Sequence, residues 1–294
     1  MLRNKHSDIM NKKNVLALFL FLTVCKAPAY GQIIDLSVKK QKSIRFVYVD
    51  GGTCEMGDLW GAGFSDDELP VHLVKVDGFW ISECEITNGL FAEFLNEVGN
   101  PIQDGSPWLD IEDPDCGIIF RRDMFIPKVG LENHPVVEVS WYGASAFARW
   151  MGGRLPTEAE WEYTAREEGR KLQFPTGATL TFDQANIDGQ AGKDQWLKTG
   201  PVKSFTPNAL GVYDLAGNVW EFCSDWYDDE YYAHSSYMNP AGPDSGFARV
   251  IRGGSWKYSR WNSRTTSRGM SRPDETRNDV GFRVVRDILK DPGE

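Results

Sequence analysis

The sequence predicts an irregular α+β domain in which short strands and a few helices alternate with turn-rich stretches. The chain holds 29 Gly and 11 Trp among 294 residues, a composition that suits large rings filling a core between irregular segments. Ile44 to Val49 alternates at period 2, as a half-buried strand requires, whereas Leu90, Phe91, Phe94 and Leu95 recur on one face of a helix. No tandem period or low-complexity tract interrupts this pattern.

The elements follow in order. Residues 1–31 have the form of a signal peptide: Lys12 and Lys13 precede the apolar run Val15 to Val24, and Ala29 and Gly31 give a small-x-small cleavage site. That run is too short to span a bilayer. An alternative uses Cys25 as a lipoprotein acceptor after Leu22-Thr23-Val24, where Val24 is bulkier than a lipobox prefers. Residues 32–43 form a polar lead, and the main domain runs from 44 to 288 with a tail at 289–294. Gly51-Gly52 breaks the first strand, Met56-Gly57 lies on a second extended piece, and Val71 to Ile81 reads as one strand. Thr87 caps the helix that carries Leu90 to Leu95. Residues 99–133 show no sustained period and read as a long surface excursion. Ser140 caps a helix with Trp141, Ala144, Ala148 and Met151 on one face, ended by Gly152-Gly153. Thr157 and Glu160 form a capping box that starts a helix to about Arg166. Arg154, Glu158 and Glu162 read as an ion-pair network joining these two helices. The remainder is turns and short strands, closed by a strand from Gly281 to Arg286.

Charge and cysteine usage narrow the function. Removing residues 1–31 takes five basic and one acidic residue from totals of 32 and 42, leaving 27 and 41, a formal charge of −14. So acidic a protein repels phosphate backbones and anionic lipid heads, which excludes nucleic acid as a partner. The remaining 263 residues fit one large domain without a second hydrophobic span, hence without a transmembrane segment. Cys54, Cys84, Cys116 and Cys223 allow up to two disulfides in an exported chain, with three pairings open. His72, His134 and His234 join no CxxC or Cys/His cluster, so a zinc or iron site has no support.

Four motifs dominate the second half: GGRLPTEAEWEY at 152–163, GVYDLAGNVWEF at 211–222, RVIRGGSWKYS at 249–259 and NDVGFRVVR at 278–286. With GGTCEMGD at 51–58 and EITN at 85–88, they make the chain resemble the formylglycine-generating enzyme, or sulfatase-modifying factor, family over residues 44–288. The resemblance implies a C-type-lectin-like fold with short antiparallel strands and a few helices, and EITN is an architectural unit within it.

Asp214 and Glu221 are two carboxylates seven residues apart, with Gly217 between them to let the backbone turn. A loop of that size can wrap one calcium ion through carboxylates and carbonyls. The family resemblance implies a structural calcium held by the Asp214 side chain, the Gly217 and Val219 carbonyls and the Glu221 carboxylate. It implies a second at the Asn186 side chain, the Ile187 carbonyl, the Asp194 carboxylate and the Trp196 carbonyl.

The oxidases of this family hold copper through two cysteines soon after the GGS motif. Here direct alignment puts Tyr258 and Ser263 at those positions, and no residue from 224 to 294 is a cysteine. Tyr and Ser do not replace a soft thiolate pair for Cu(I), so copper is not expected. Trp256, Tyr258, Arg260, Trp261, Arg264 and Arg268 interleave rings and cations on the family's active-site face, a pattern suited to an acidic peptide or glycan. Alternatively, the arginines pair with Asp274, Glu275 and Asp279 as structure. The expected function is an exported, periplasmic or extracellular non-oxidase member of the family, a calcium-stabilised binding or envelope-assembly module. The alternatives are an enzyme modifying a peptide or secondary metabolite, like relatives implicated in siderophore maturation, and a formylglycine-generating oxidase with unconventional ligands.

Overall fold

The computed structural model describes residues 33–38, 42–61 and 65–288. The expected signal peptide, Cys25 and the tail at 289–294 lie outside the described residues. Strand β1 (Ile33–Val38) pairs antiparallel with β2 (Lys42–Val49), with Ile34 opposite Phe46. Much of the expected polar lead is therefore sheet. Ile34, Leu36 and Val38 alternate with Asp35 and Ser37, a run whose meaning comes from its partner strand.

Strand β3 (Gly52–Met56) pairs with β4 (His72–Val76), and β5 (Phe79–Ser82) returns to β2 with Val47 opposite Ile81. The single strand expected from 71 to 81 is thus two, broken at Asp77-Gly78 where the chain changes sheets. Helix α1 (Asn88–Val98) starts at Thr87, whose hydroxyl accepts from the Leu90 amide, and buries Leu90, Phe91, Phe94 and Leu95.

The stretch 99–133 is more structured than a surface excursion. It holds the hairpins β6 (Ile102–Gln103) with β7 (Ser106–Pro107) and β8 (Ile118–Arg121) with β9 (Met124–Pro127). Leu109, Cys116 and Ile118 are fully buried. Strands of two to four residues are too short to establish a period in sequence.

Helix α2 (Trp141–Trp150) is capped by Ser140, and α3 (Glu158–Ala165) by the reciprocal Thr157–Glu160 box. Every residue of α3 is buried, its acids included. Glu162 receives the Arg166 guanidinium at 3.0 Å and that of Arg252 at 2.5 Å, while Glu158 meets Arg268 at 2.8 Å. Arg154 instead binds Glu160 and Asp287, both at 2.6 Å. The acids of α3 therefore tie it chiefly to the C-terminal sheet, and Arg154 belongs to a separate cluster.

That sheet comprises β10 (Trp220–Trp226), β11 (Arg249–Arg252), β12 (Arg268–Ser271) and β13 (Val280–Gly281), in the order β12-β11-β10-β13. Its β10/β13 pair is parallel, an exception to the antiparallel expectation. Strand β14 (Val285–Asp287) leaves this sheet and completes the other, in the order β1-β2-β5-β14. The expected strand from 281 to 286 is therefore split, with buried Phe282, Arg283 and Val284 crossing between the sheets. Phe91, Phe147 and Phe282 pack against one another in one core cluster, and Trp161 anchors a second. A small third cluster of Phe174, Leu180, Ala185, Ile187 and Ala216 lies where the loops around 186 and 216 meet.

Candidate functional site

Three loops converge beside that third cluster: 186–196, 214–221 and 253–263. The Asn218 amide donates to the Asn186 carbonyl at 2.8 Å, the Gly217 amide to Gly253 at 2.9 Å, and the Trp256 amide to Asn218 at 2.9 Å. The Asp188 amide donates to the Tyr258 carbonyl at 2.9 Å, which closes the circuit. Gly217 sits at φ 74°, and a Cβ there would stand 2.2 Å from the Asn186 carbonyl oxygen. Both the turn and the close approach therefore require glycine at this position.

The 186–196 loop contains two unusual oxygens. Asn186 and Asp194 are buried, and among the described residues Oδ1 of each has no hydrogen-bond partner. The Asn186 amide nitrogen is committed to the Lys198 carbonyl at 2.8 Å and to Asn218 Oδ1 at 3.1 Å, which fixes the side chain. Asp194 Oδ2 accepts from the Ile187 amide at 2.9 Å. Burial pushes the Asp194 carboxyl up, against the backbone amides of Ile187 and Trp196 that hold it down. Buried oxygens without donors carry a desolvation cost that a cation would offset. Asn186 and Asp194 supply hard oxygens of the kind calcium takes, and the carbonyls of Ile187 and Trp196 would complete the set.

The 214–221 loop gathers several buried charges. Burial, then the charges of Asp214 and Glu221, pushes the Glu85 carboxyl well up, and burial also raises Asp214. Arg283 faces these three carboxylates and binds Glu221 at 2.5 and 2.6 Å, with Trp161 Nε1 donating to the same carboxylate at 2.7 Å. Lys203 is a second cation acting on Asp214, and the raised Glu85 carboxyl holds its proton more tightly, so the acids and cations of this loop are close to balance. Asp214 and the Gly217 and Val219 carbonyls could contribute to holding a calcium ion, whereas Glu221 is already shared with Arg283. Among the described residues no three His, Cys, Asp or Glu side chains cluster as metal ligands, so any calcium here depends on Asn and backbone oxygens.

Glu85 is the residue that the sequence undervalued. Its carboxylate accepts from Asn218 Nδ2 at 2.6 Å and from the Val219 amide at 3.2 Å, pinning the 214–221 loop to the start of α1. An acid in EITN and an asparagine in AGNVWE were the available signals, each ambiguous without the other.

The ring-and-cation set divides in two. Arg264 is buried, with bidentate bonds to Glu68 at 2.5 and 2.7 Å. The Arg268 side chain is fully buried against Glu158 at 2.8 and 3.1 Å. These two are structural, and their partners are not the expected Asp274, Glu275 or Asp279: Asp274 pairs with Arg272, Asp279 with Arg277, and Glu275 accepts from Ser271. Four members reach the surface. Trp261 is 41% exposed, and the Arg260 guanidinium lies 5.3 Å from its ring centre. Trp256 and Tyr258 are half-buried, with Trp256 Nε1 donating to the Asn278 carbonyl and Tyr258 edge-on to Trp220.

At the position aligned with the second thiol, Ser263 is fully buried and its Oγ lacks a partner among the described residues. A Cβ on Gly254, at φ 72°, would sit 2.4 Å from that oxygen. Cys54, Cys84, Cys116 and Cys223 are free and buried, so neither of the two disulfides that the sequence allows is formed. They are built into packed interior positions, Cys116 in one core cluster and Cys54 and Cys223 in another. Burial raises all four thiols, to about 12 for Cys54 and about 11 for Cys116. No cysteine lies among residues 224–294, so the donors at the aligned positions, Tyr258 and Ser263, do not fit the soft thiolate pair that Cu(I) takes.

Residues 35–288 match the sulfatase-modifying factor enzyme 1-like domain, a match that begins within β1. A formylglycine-generating enzyme of Streptomyces coelicolor is 37% identical over 287 residues, covering 82% of this chain and 88% of that protein. Serine/threonine-protein kinase Pkn1 of Chlamydia trachomatis is 38% identical over 262 residues, covering 88% of this chain but only 41% of that longer protein. The structure of PvdO from Pseudomonas aeruginosa superposes with a TM-score of 0.69 at 27% identity, covering 90% of this chain and 100% of that chain.

Proposed function

The chain belongs to the formylglycine-generating enzyme and sulfatase-modifying factor family, and from that premise we propose that it is a non-oxidase member acting as an exported, calcium-stabilised binding or assembly module. One observation carries the reading. The family scaffold is kept through residue 288, while the positions aligned with the copper thiols hold Tyr258 and Ser263. The cysteines among the described residues are buried in the packed core, away from these positions in sequence, which supports the absence of a substitute pair.

The surface over the three joined loops is left with Trp256, Tyr258, Arg260 and Trp261. Exposed rings beside a cation suit an acidic peptide or a glycan, through stacking and charge-assisted hydrogen bonds. The calcium ions in this reading are structural: they hold the 186–196 and 214–221 loops beneath that surface and lower the entropy that irregular segments otherwise cost. Export rests on the signal-like pattern of residues 1–31. No helix among the described residues is long and apolar enough to cross a membrane.

The test immobilises the full processed chain and exposes it to a bacterial envelope extract with calcium or with a chelator. The reading expects a specific protein or glycan retained in calcium, released by chelation and lost in Trp261→Ala. Absence of any specific, Trp261-dependent retention argues against it.

A further inference from the structure

One buried acid joins two loops that take no part in the calcium reading. Glu138 is 4% exposed and sits at φ 57°, a left-handed conformation that a glutamate side chain resists. Its carbonyl accepts from the Asp110 amide at 2.9 Å, and its amide donates to the Arg277 carbonyl at 2.9 Å, so its backbone ties the 110–116 loop to the 272–279 loop. Leu109 and Val139 bridge beside it, and Cys116, at the far end of the first loop, is fully buried in the core.

Charge around Glu138 is one-sided. Asp110 and Asp113 each use Oδ1 on an amide of their own loop, that of Glu112 at 3.1 Å and that of Asp115 at 2.7 Å. The cations nearby are committed elsewhere: Lys198 to Asp115, Lys128 Nζ to the Pro114 carbonyl at 2.9 Å, and Arg277 to Asp279 at 2.9 Å. On the 272–279 loop Arg272 pairs with Asp274 and Glu275 accepts from Ser271, while Tyr142 at the start of α2 turns to Asp104. Burial, then the charge of Asp113, pushes the Glu138 carboxyl up to about 7, with Asp110 and Asp115 adding to the rise and a hydrogen bond with Thr276 opposing it. Once ionised, Glu138 sets a further negative charge against three aspartates in a place that water hardly reaches.

We propose that the 110–116 loop is a proton-controlled clasp: while Glu138 keeps its proton the loop lies closed on the 272–279 loop, and when Glu138 ionises the loop lifts from it. The clasp reaches the ring-and-cation surface. Asp115 accepts from Asn278 Nδ2 at 2.6 Å, and the Asn278 carbonyl accepts from Trp256 Nε1 at 3.2 Å, so lifting removes the support behind Trp256. That consequence rests on the binding role proposed for the surface; the clasp itself does not, and its test contains no ligand, so its failure leaves the binding role standing. A carboxyl raised in the closed state above its ordinary value of 4.5 stabilises that state in full below 4.5, and the contribution is lost as pH rises through about 7.

Cys116 is a built-in reporter, since a reagent reaches its buried thiol only when the loop opens. The full chain is labelled with a methanethiosulfonate at pH 6 and at pH 8, unaltered and as Glu138→Gln, and Cys54, Cys84, Cys116 and Cys223 are followed separately by peptide mass spectrometry. Ionisation of the thiol itself is common to both proteins, so the ratio of their rates isolates the clasp. With Glu138 at about 7 when closed and 4.5 when open, Cys116 labelling in the unaltered chain should rise about tenfold between the two pH values relative to the variant, with no such rise at the other three cysteines. Asp113→Asn, which keeps the bond to the Asp115 amide, should shrink the rise because the strongest like charge is gone. Equal pH dependence with and without the Glu138 charge, a rise shared by all four cysteines, or the full rise retained in Asp113→Asn overturns the proposal.

Discussion

Glu221 and Arg283 are both fully enclosed and joined by two short bonds. Removing one member of such a pair leaves the other as a buried charge, so Arg283→Met should cost about 3–5 kcal/mol, read as a lowered urea midpoint. A near-neutral result would mean that Glu221 finds another counter-charge. A second residue-scale effect depends on pH. Burial, followed by the charge of Glu158, pushes the Asp225 carboxyl up to about 7. A carboxyl raised above its unfolded value of 3.8 holds its proton more tightly in the native state. Its stabilising contribution is therefore complete below that value and is lost as pH rises through about 7. Asp225→Asn should flatten this decline in urea midpoints measured across that range, and an unchanged slope would assign the decline to other groups such as Glu138, also raised to about 7. Little of this was visible in sequence: the Glu221–Arg283, Arg264–Glu68 and Arg268–Glu158 pairs each join residues far apart in the chain, and a one-dimensional motif does not reveal which distant charge neutralises a side chain.

At the level of elements, the helix starts were legible because their signals are local: Thr87, Ser140 and the Thr157–Glu160 box each cap within three residues. Thr157→Ala should lower stability by about 1 kcal/mol, as loss of an N-cap does, and by no more if Arg154 keeps its hold on Glu160. The strands were less legible. β1 gains its meaning from β2, and the strand expected from 281 to 286 divides because Phe282 to Val284 cross between two sheets. The loop junction has its own test in Gly217→Ala. Its Cβ would collide with the Asn186 carbonyl in a backbone conformation that alanine resists, so the loops must part. We expect a loss on the order of 1–3 kcal/mol, together with loss of any calcium-dependent rise in melting temperature. An alanine variant that keeps that rise would show that the loop contact is not needed to hold the ion.

Across the described residues, two four-stranded sheets, three two-stranded ones, two main cores and a network of buried ion pairs carry a large share of irregular chain, an arrangement in which bound ions can replace missing regular structure. Chelation should therefore lower the melting temperature of the full chain, and Asp194→Asn, which removes the charge of one donor-poor carboxylate, should shrink that response. Equal melting temperatures with and without chelator would remove calcium from the account. The central claim is chemical: the family domain is kept while Tyr258 and Ser263 stand where the family resemblance places the thiol pair. Its most direct test incubates the copper-treated chain with a Cys-x-Pro-x-Arg peptide under air and reads the peptide by mass spectrometry. The account predicts that the cysteine is recovered unchanged, and multiple-turnover conversion of that cysteine to the aldehyde would contradict it.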